Sequence, residues 1–308
     1  MQFINKLTLY LTSGLFMLFA FSYCTCESKS DQSKTQQEIV DTAINDKQLV
    51  DDFEKSKFIF YSLPSPVETA MLIKRAGGGF DQDLLNEPGN ASRYNSNLKM
   101  ALNLGIYTAN MSYASLFDQA QHTVNYMGTC RNLAGNLGIL ELIDEETIRR
   151  LEENMNNRDV VIDIISETFM NSNAYLTEQN RPAIAAMVLT GGWIEGLYIA
   201  TSLTGGDIDN NSELVDRIVY QKLSLNTLLS LLETHKSDPD ISYLIDRMES
   251  LQEYFNVMSI VSKSDIEAET NPEEKITIIR SQSEVEVTPE AFRELCNKVR
   301  EIRSEFIS

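Results

Sequence analysis

Three places in this chain carry the same helix-start signal, and together they commit it to a helical architecture. Ser65-Pro66-Val67-Glu68, Asp238-Pro239 and Thr288-Pro289 each set a side-chain oxygen immediately before a proline. The oxygen can accept from a backbone N–H that the first turn of a helix leaves free, and proline at the first helical position forfeits no hydrogen bond the helix needs. At the first site Glu68 completes a capping box by reaching back to the Ser65 backbone. Apolar residues then recur at helical spacing: Ile241, Leu244, Ile245, Met248, Leu251 and Phe255 after Asp238, and Phe292, Leu295, Val299, Ile302 and Phe306 after Thr288.

The same periodicity extends through the rest of the chain. Ile39, Val40, Ala43, Ile44 and Val50 predict a first amphipathic helix, followed by the apolar run Phe58 to Tyr61. The helix that opens at Pro66 ends at Gly77-Gly78-Gly79, whose backbone tolerates left-handed turns and opens a long flexible loop towards Gly89. Asp144 caps a short helix through Ile148 and Leu151, and the next carries Val160, Val161, Ile164, Ile165, Thr168 and Phe169. Residues 212–233 form another, with Leu214, Ile218, Leu225, Leu228, Leu229 and Leu232 facing inward. The expectation is an all-α, multi-helix bundle of about nine helices. Its one exception is a small β-hairpin near residues 257–287, where Val257 to Val261 and Ile276 to Ile279 are β-branched runs. Between them Lys263 to Lys275 is an acidic tract holding Pro272, expected as a long mobile loop, and Ser283 to Val287 is placed to extend the hairpin.

The N-terminus has a different character. Lys6 precedes an uncharged, largely apolar run from Leu7 to Tyr23, then Cys24 and Cys26, then a tract from Glu27 to Gln37 with no apolar residue. The 17-residue run is short for a spanning helix, which needs roughly 20 apolar residues, and reads as an export signal over residues 1–25. Cleavage falls before Cys24 or Cys26, and one of the two would carry lipid: Cys24 follows bulky Tyr23 but has Phe21 three residues before it, whereas Cys26 follows Thr25. A diacylated cysteine supplies two chains, enough for stable anchoring. Residues 26–38 then form a disordered polar tether, and residues 39–308 a single helical domain. The expected address is the cell envelope, with the protein held by lipid to the outer membrane.

Composition narrows the partners. Forty-five acidic against 26 basic residues give a net charge of −19, which repels phosphate backbones and argues against nucleic acid. Beyond the signal only Cys130 and Cys296 remain, either as buried free thiols or as a single bridge. The two histidines, His122 and His235, lack metal-site spacing, and there is neither a Gly-x-Ser-x-Gly elbow nor a phosphate-binding Gly-x-x-x-x-Gly-Lys loop. No metal, cofactor or catalytic residue is therefore assigned.

Two acids interrupt apolar runs: Glu195 in GGWIEGLYIA and Asp163 in VVIDIIS. Each must be paired, hydrogen-bonded or protonated if buried, or else lie on a helix flank in water. Arg131 is the expected partner for Glu195, which with Trp193 would edge a pocket. Tyr94, Tyr107, Asn110, Tyr113, His122, Asn125 and Tyr126 form a second cluster, suited either to a core with hydroxyls at its rim or to a glycan- or peptide-binding surface. Trp193, Glu195, Arg131, Tyr107, Tyr113 and Tyr126 are thus the candidate ligand surface. Ala101, Gly105 and Ala109, and again Gly191, Gly192 and Gly196, put small residues where helices pack. A glycine inside a helix costs about 1 kcal/mol relative to alanine, so either a close backbone approach or an opening for a ligand should offset it.

The segments SLPSPVETAMLIKRAGGGFDQDLLN, LNLGIYTANMSYA and VREIRSEFI, together with the cysteine-terminated signal, resemble the uncharacterised helical lipoproteins of the Bacteroidetes cell envelope. The resemblance implies a lipid anchor and a mostly helical fold, and brings no catalytic residues with it. The expected role is an interaction or ligand-binding module for another envelope protein, a peptide or a glycan. A helical hydrolase acting on an envelope or extracellular substrate is the alternative.

Overall fold

The capping chemistry at Ser65 is fully formed in the computed structural model. The Ser65 hydroxyl accepts from the Glu68 N–H at 3.2 Å and the Glu68 carboxylate accepts from the Ser65 N–H at 2.7 Å, opening helix α1 (Pro66–Arg75). The structure describes residues 63–154, 157–271 and 276–308, all within one compact unit, Val50–Ser308. The expected signal, Cys24 and Cys26, the tether, the Ile39 to Val50 helix and the Phe58 to Tyr61 run lie outside the described residues.

Eight further helices follow among the described residues: α2 (Asn97–Leu116), α3 (Ala120–Asn136), α4 (Glu145–Glu153), α5 (Arg158–Glu178), α6 (Pro182–Thr204), α7 (Ser212–Glu233), α8 (Pro239–Asn256) and α9 (Pro289–Ile307). The all-α expectation holds. Asp144, Asp238 and Thr288 cap α4, α8 and α9 through their side-chain oxygens. Every apolar residue named above for α8 and α9 is buried, so the spacing alone had located their inward faces.

At the centre α2 and α6 cross with almost nothing between them. All residues from Met100 to Leu116 are buried, and α6 is buried on nearly every side, as expected of a helix apolar all round. By length and hydropathy α6 would pass for a membrane span, but 89% of that apolar window is buried within the fold. A Cβ on Gly105 would lie 1.9 Å from the Val188 carbonyl oxygen, and one on Gly191 would lie 2.0 Å from that of Leu102. The glycines are therefore explained by backbone-to-backbone contact rather than by an opening for a ligand. Around this pair, α1 lies across both helices, α3 packs on α2, α5 touches both, α7 packs on α6 and α8, α9 on α6 and α8, and short α4 on α5.

Gly128 on α3 offers the contrast. It is exposed, and a Cβ there would meet nothing within 4 Å. Gly128→Ala should therefore stabilise the domain by about 0.5–1 kcal/mol, read as a higher urea midpoint at unchanged slope.

Two expectations need correction. The segment between Gly77 and Gly89 is not a loose loop: it folds into 3₁₀ turns at Gln82–Leu84 and Pro88–Arg93. Asp81 and Asn86 donate their backbone N–H groups to the Tyr113 hydroxyl and the Asn110 side-chain oxygen, at 3.1 and 2.9 Å. The hairpin is longer and its connection shorter than the sequence indicates. Strands β1 (Ser259–Asn271) and β2 (Ile276–Glu286) pair antiparallel from Ser259↔Glu286 to Asn271↔Ile276, with a register irregularity between Ser262 and Ile266. Most of the acidic tract is therefore strand, because Asp265-Ile266-Glu267-Ala268-Glu269 alternates with period two despite its charge. Ser283 to Glu286 does extend the hairpin.

Candidate functional site

Glu195 sits near the middle of α6 and is wholly buried, so the water-contacting reading of this acid is wrong, whereas Asp163 on α5 is exposed. Its partner is Arg303 of α9, not Arg131. Arg303 donates from Nε to Oε2 at 2.9 Å and from Nη2 to Oε1 at 3.2 Å, the two-pronged geometry that suits a guanidinium to a carboxylate. Asn110 of α2 donates to Oε1 at 2.6 Å, Arg303 Nη2 also donates to the Leu84 carbonyl at 3.2 Å, and the guanidinium lies 4.5 Å from the centre of the Tyr198 ring. Burial raises the Glu195 carboxyl above its ordinary value, opposed by the Arg303 charge.

From Asn110 the polar network runs outward. Asn86 donates to the Tyr94 hydroxyl at 3.0 Å and to Asn103 at 3.2 Å, and Asn103 donates to the carbonyls of Lys99 and Phe306, each at 2.9 Å. The Tyr94 hydroxyl reaches the Ile307 carbonyl at 3.3 Å. The end of α9, the 3₁₀ segment and the two central helices are thus joined by side chains buried with their partners, as low-dielectric surroundings demand. The side chains of this cluster are matched to one another and to backbone carbonyls, which accounts for them as structural.

The six candidate surface residues do not form one surface. Arg131 lies half-exposed on α3, 3.8 Å from Glu145. Tyr107, Tyr113 and Tyr126 are buried, as the core reading of the aromatic cluster requires. Tyr107 donates to the Glu87 carbonyl at 2.8 Å and Tyr113 to the Gly79 carbonyl, while the Tyr107 and Tyr126 rings lie 6.0 Å apart. Burial raises all three hydroxyls, that of Tyr113 to about 12. Trp193 is also buried and lines a void of about 20 Å³ between α1, α6 and α7. Asn125 is exposed on α3, and His122 packs half-buried beside Phe80, ring centres 5.8 Å apart.

A different space carries more chemical meaning. Helices α2 to α6 enclose a void of about 60 Å³ whose walls are almost entirely apolar, with Met111, Met127, Cys130, Leu151, Phe169 and Val188 among them. Three of the four hydroxyls in its lining donate to carbonyls of their own helices: Thr108 to Leu104 at 2.8 Å, Thr168 to Ile164 at 2.8 Å and Ser172 to Thr168 at 2.7 Å. Cys130 and Cys296 are both buried and free, and burial pushes their thiols up to about 12 and about 11. Such thiols are inert at neutral pH, which makes Cys130 a wall rather than a nucleophile. Ile143, Thr147, Thr168 and Ser172 are only half-buried and form the rim on the α4–α5 side.

Sequence reasoning missed both features, although one left a trace. Arg303 falls on the inward stripe of α9, four residues after Val299 and three before Phe306, so a lone cation on an apolar face was visible as the complement to Glu195. The void left none, because it arises from how five helices fail to fill the space between them. Among the described residues no group of three or more His, Cys, Asp or Glu side chains is placed to hold a metal ion. Comparison with family models, curated proteins and solved structures finds no match to this chain.

Proposed function

We propose that this is a lipid-anchored protein of the cell envelope, akin to the helical lipoproteins of Bacteroidetes, whose helical domain is a binding module for an apolar ligand. The observation that supports binding is the void among α2 to α6: well-packed interiors leave few spaces larger than a water molecule, and this one offers a ligand almost entirely apolar contact. The address rests on Lys6, the Leu7 to Tyr23 run and the two cysteines that follow it. The hydrolase alternative gains nothing from Glu195, the one fully buried acid among the described residues, since it is held by Asn110 and Arg303.

Each half has its own test. In cells given an alkyne-tagged fatty acid, the mature protein should carry the tag and lose it in the Cys24→Ala, Cys26→Ala double variant; an untagged mature protein ends the anchor reading. In a thermal-shift screen of xenon, short alkanes, sugars and peptides, only the apolar probes should raise the melting temperature. A shift with sugars or peptides alone would contradict the binding reading.

A further inference from the structure

We infer that the corner between α2 and α3 is a binding site for a small zwitterion, a free α-amino acid, with its carboxylate at the start of α3 and Arg158 and its ammonium at Asp118. The site is a largely polar cleft of about 160 Å³, closed on one side by the start of α5. It shares no lining residue with the apolar void among α2 to α6 and does not depend on it.

The carboxylate end is built from donors that the fold leaves unused. Gln119 precedes α3 without capping it, because its side-chain amide donates instead to the Phe117 carbonyl at 2.9 Å. The N–H groups of Ala120, Gln121 and His122 therefore have no acceptor among the described residues, and they carry the partial positive charge of a helix start. Arg158, the first residue of α5, lines the same cleft. It reaches Asp159 only through Nε, at 3.4 Å, in an exposed and hence weak pair, so its two terminal nitrogens remain for a two-pronged contact with a carboxylate.

Ser115 separates this corner from an ordinary helix start. It lines the cleft and is only 6% exposed, yet its hydroxyl makes no hydrogen bond among the described residues. The other hydroxyls of α2 are all engaged: Thr108 and Ser112 donate to carbonyls four residues back at 2.8 Å, and Tyr107 and Tyr113 donate to Glu87 and Gly79. A nearly buried hydroxyl left unpaired in a polar cleft is a contact awaiting a ligand oxygen.

Charge balance then selects a zwitterion over a simple anion. Asp118 lines the cleft opposite in sign to Arg158, and its carboxylate has no partner among the described residues. Its left-handed backbone, with φ of 59°, holds it in the corner ahead of α3, where it does not act as the cap. An anion alone would be repelled by Asp118, and a cation alone by Arg158 and the helix start. A molecule with both charges satisfies each. Size agrees: about 150 Å³ suffices for benzene, with about six non-hydrogen atoms, and alanine has the same number. Ala120 and Val161 give its methyl group an apolar wall.

The test is isothermal titration calorimetry of the full mature chain, in mild detergent, with L-alanine, acetate and ethylamine. Alanine should bind saturably at one site, and acetate and ethylamine each at least about tenfold more weakly. Asp118→Asn keeps the left-handed backbone, which asparagine tolerates, and removes only the charge. That variant, Arg158→Gln and Ser115→Ala should each weaken alanine binding about fivefold or more. Absence of alanine binding up to about 10 mM overturns the inference. Acetate binding as tightly as alanine overturns it too, leaving a carboxylate site only. Undiminished alanine binding in all three variants, with their helical circular dichroism intact, overturns it equally. Should the variants fail to fold, alanine must shift the amide resonances of Ala120, Gln121 and His122 in the unaltered chain, and shifts confined elsewhere end the proposal.

Discussion

Arg303→Met is expected to destabilise the domain by about 3–5 kcal/mol, the usual consequence of removing one partner from a buried ion pair. Glu195 is completely enclosed, and without the guanidinium its carboxylate would keep only the Asn110 hydrogen bond. Urea unfolding measured by circular dichroism should show the loss as a lowered midpoint. The pH dependence carries a sign that ordinary packing damage would not. Burial already lifts the Glu195 carboxyl above its unfolded value, and loss of the opposing charge lifts it further. Between the unfolded and the folded titration ranges the native state holds a proton that the unfolded chain has released, so stability must fall as pH rises through that window. Arg303→Met should therefore be relatively most stable in mild acid. Adding Glu195→Gln removes the buried charge and should recover a substantial part of the loss at neutral pH. A double variant no more stable than Arg303→Met alone would show that the loss came from packing around α9.

The second large effect belongs to the helix crossing. Gly105→Ala should cost about 3 kcal/mol, the upper end of the range for overpacking a filled interior, even though alanine is the better helix former by about 1 kcal/mol. The new methyl would have to occupy space 1.9 Å from the Val188 carbonyl oxygen and 2.7 Å from the Gly192 nitrogen, both backbone atoms that cannot rotate away. Relief requires that α2 and α6 separate along their length. Gly191→Ala meets the Leu102 carbonyl in the same way. Because the two substitutions force the same separation, their combined cost should be smaller than the sum of the single costs. Full additivity of the unfolding free energies would argue against a shared crossing.

Much of this architecture was legible because its signals are local. A serine, aspartate or threonine before proline states where a helix begins within one turn, and the apolar rows of α7, α8 and α9 state which face turns inward. The small-residue spacing at Gly105 and Gly191 likewise pointed to the close crossing. Partner choice is not local. Arg131 was attractive for Glu195 from its place in the chain, but α3 turns that side chain outward towards Glu145, and the true partner lies 108 residues beyond Glu195. The loop after Gly77 misled for a similar reason: its glycines signal freedom, while its order comes from hydrogen bonds made by Asn110 and Tyr113 on α2. The hairpin was located but cut short, since acidic composition outweighed a weak alternation. The void among α2 to α6 has no counterpart in the sequence at all, because periodicity describes each face and not the volume left between faces.

That the decisive cation belongs to the last helix also bears on how the protein is made. At roughly 5–20 residues per second, the 108 residues separating Glu195 from Arg303 take about 5–20 s to synthesise. During that interval the α6 carboxylate has no cation to meet, and the carbonyls of Phe306 and Ile307, which Asn103 and Tyr94 also need, do not yet exist. Residues 303–307 therefore act as a clasp: the polar contacts that fasten α9 to the central crossing are completed only once that segment has been made.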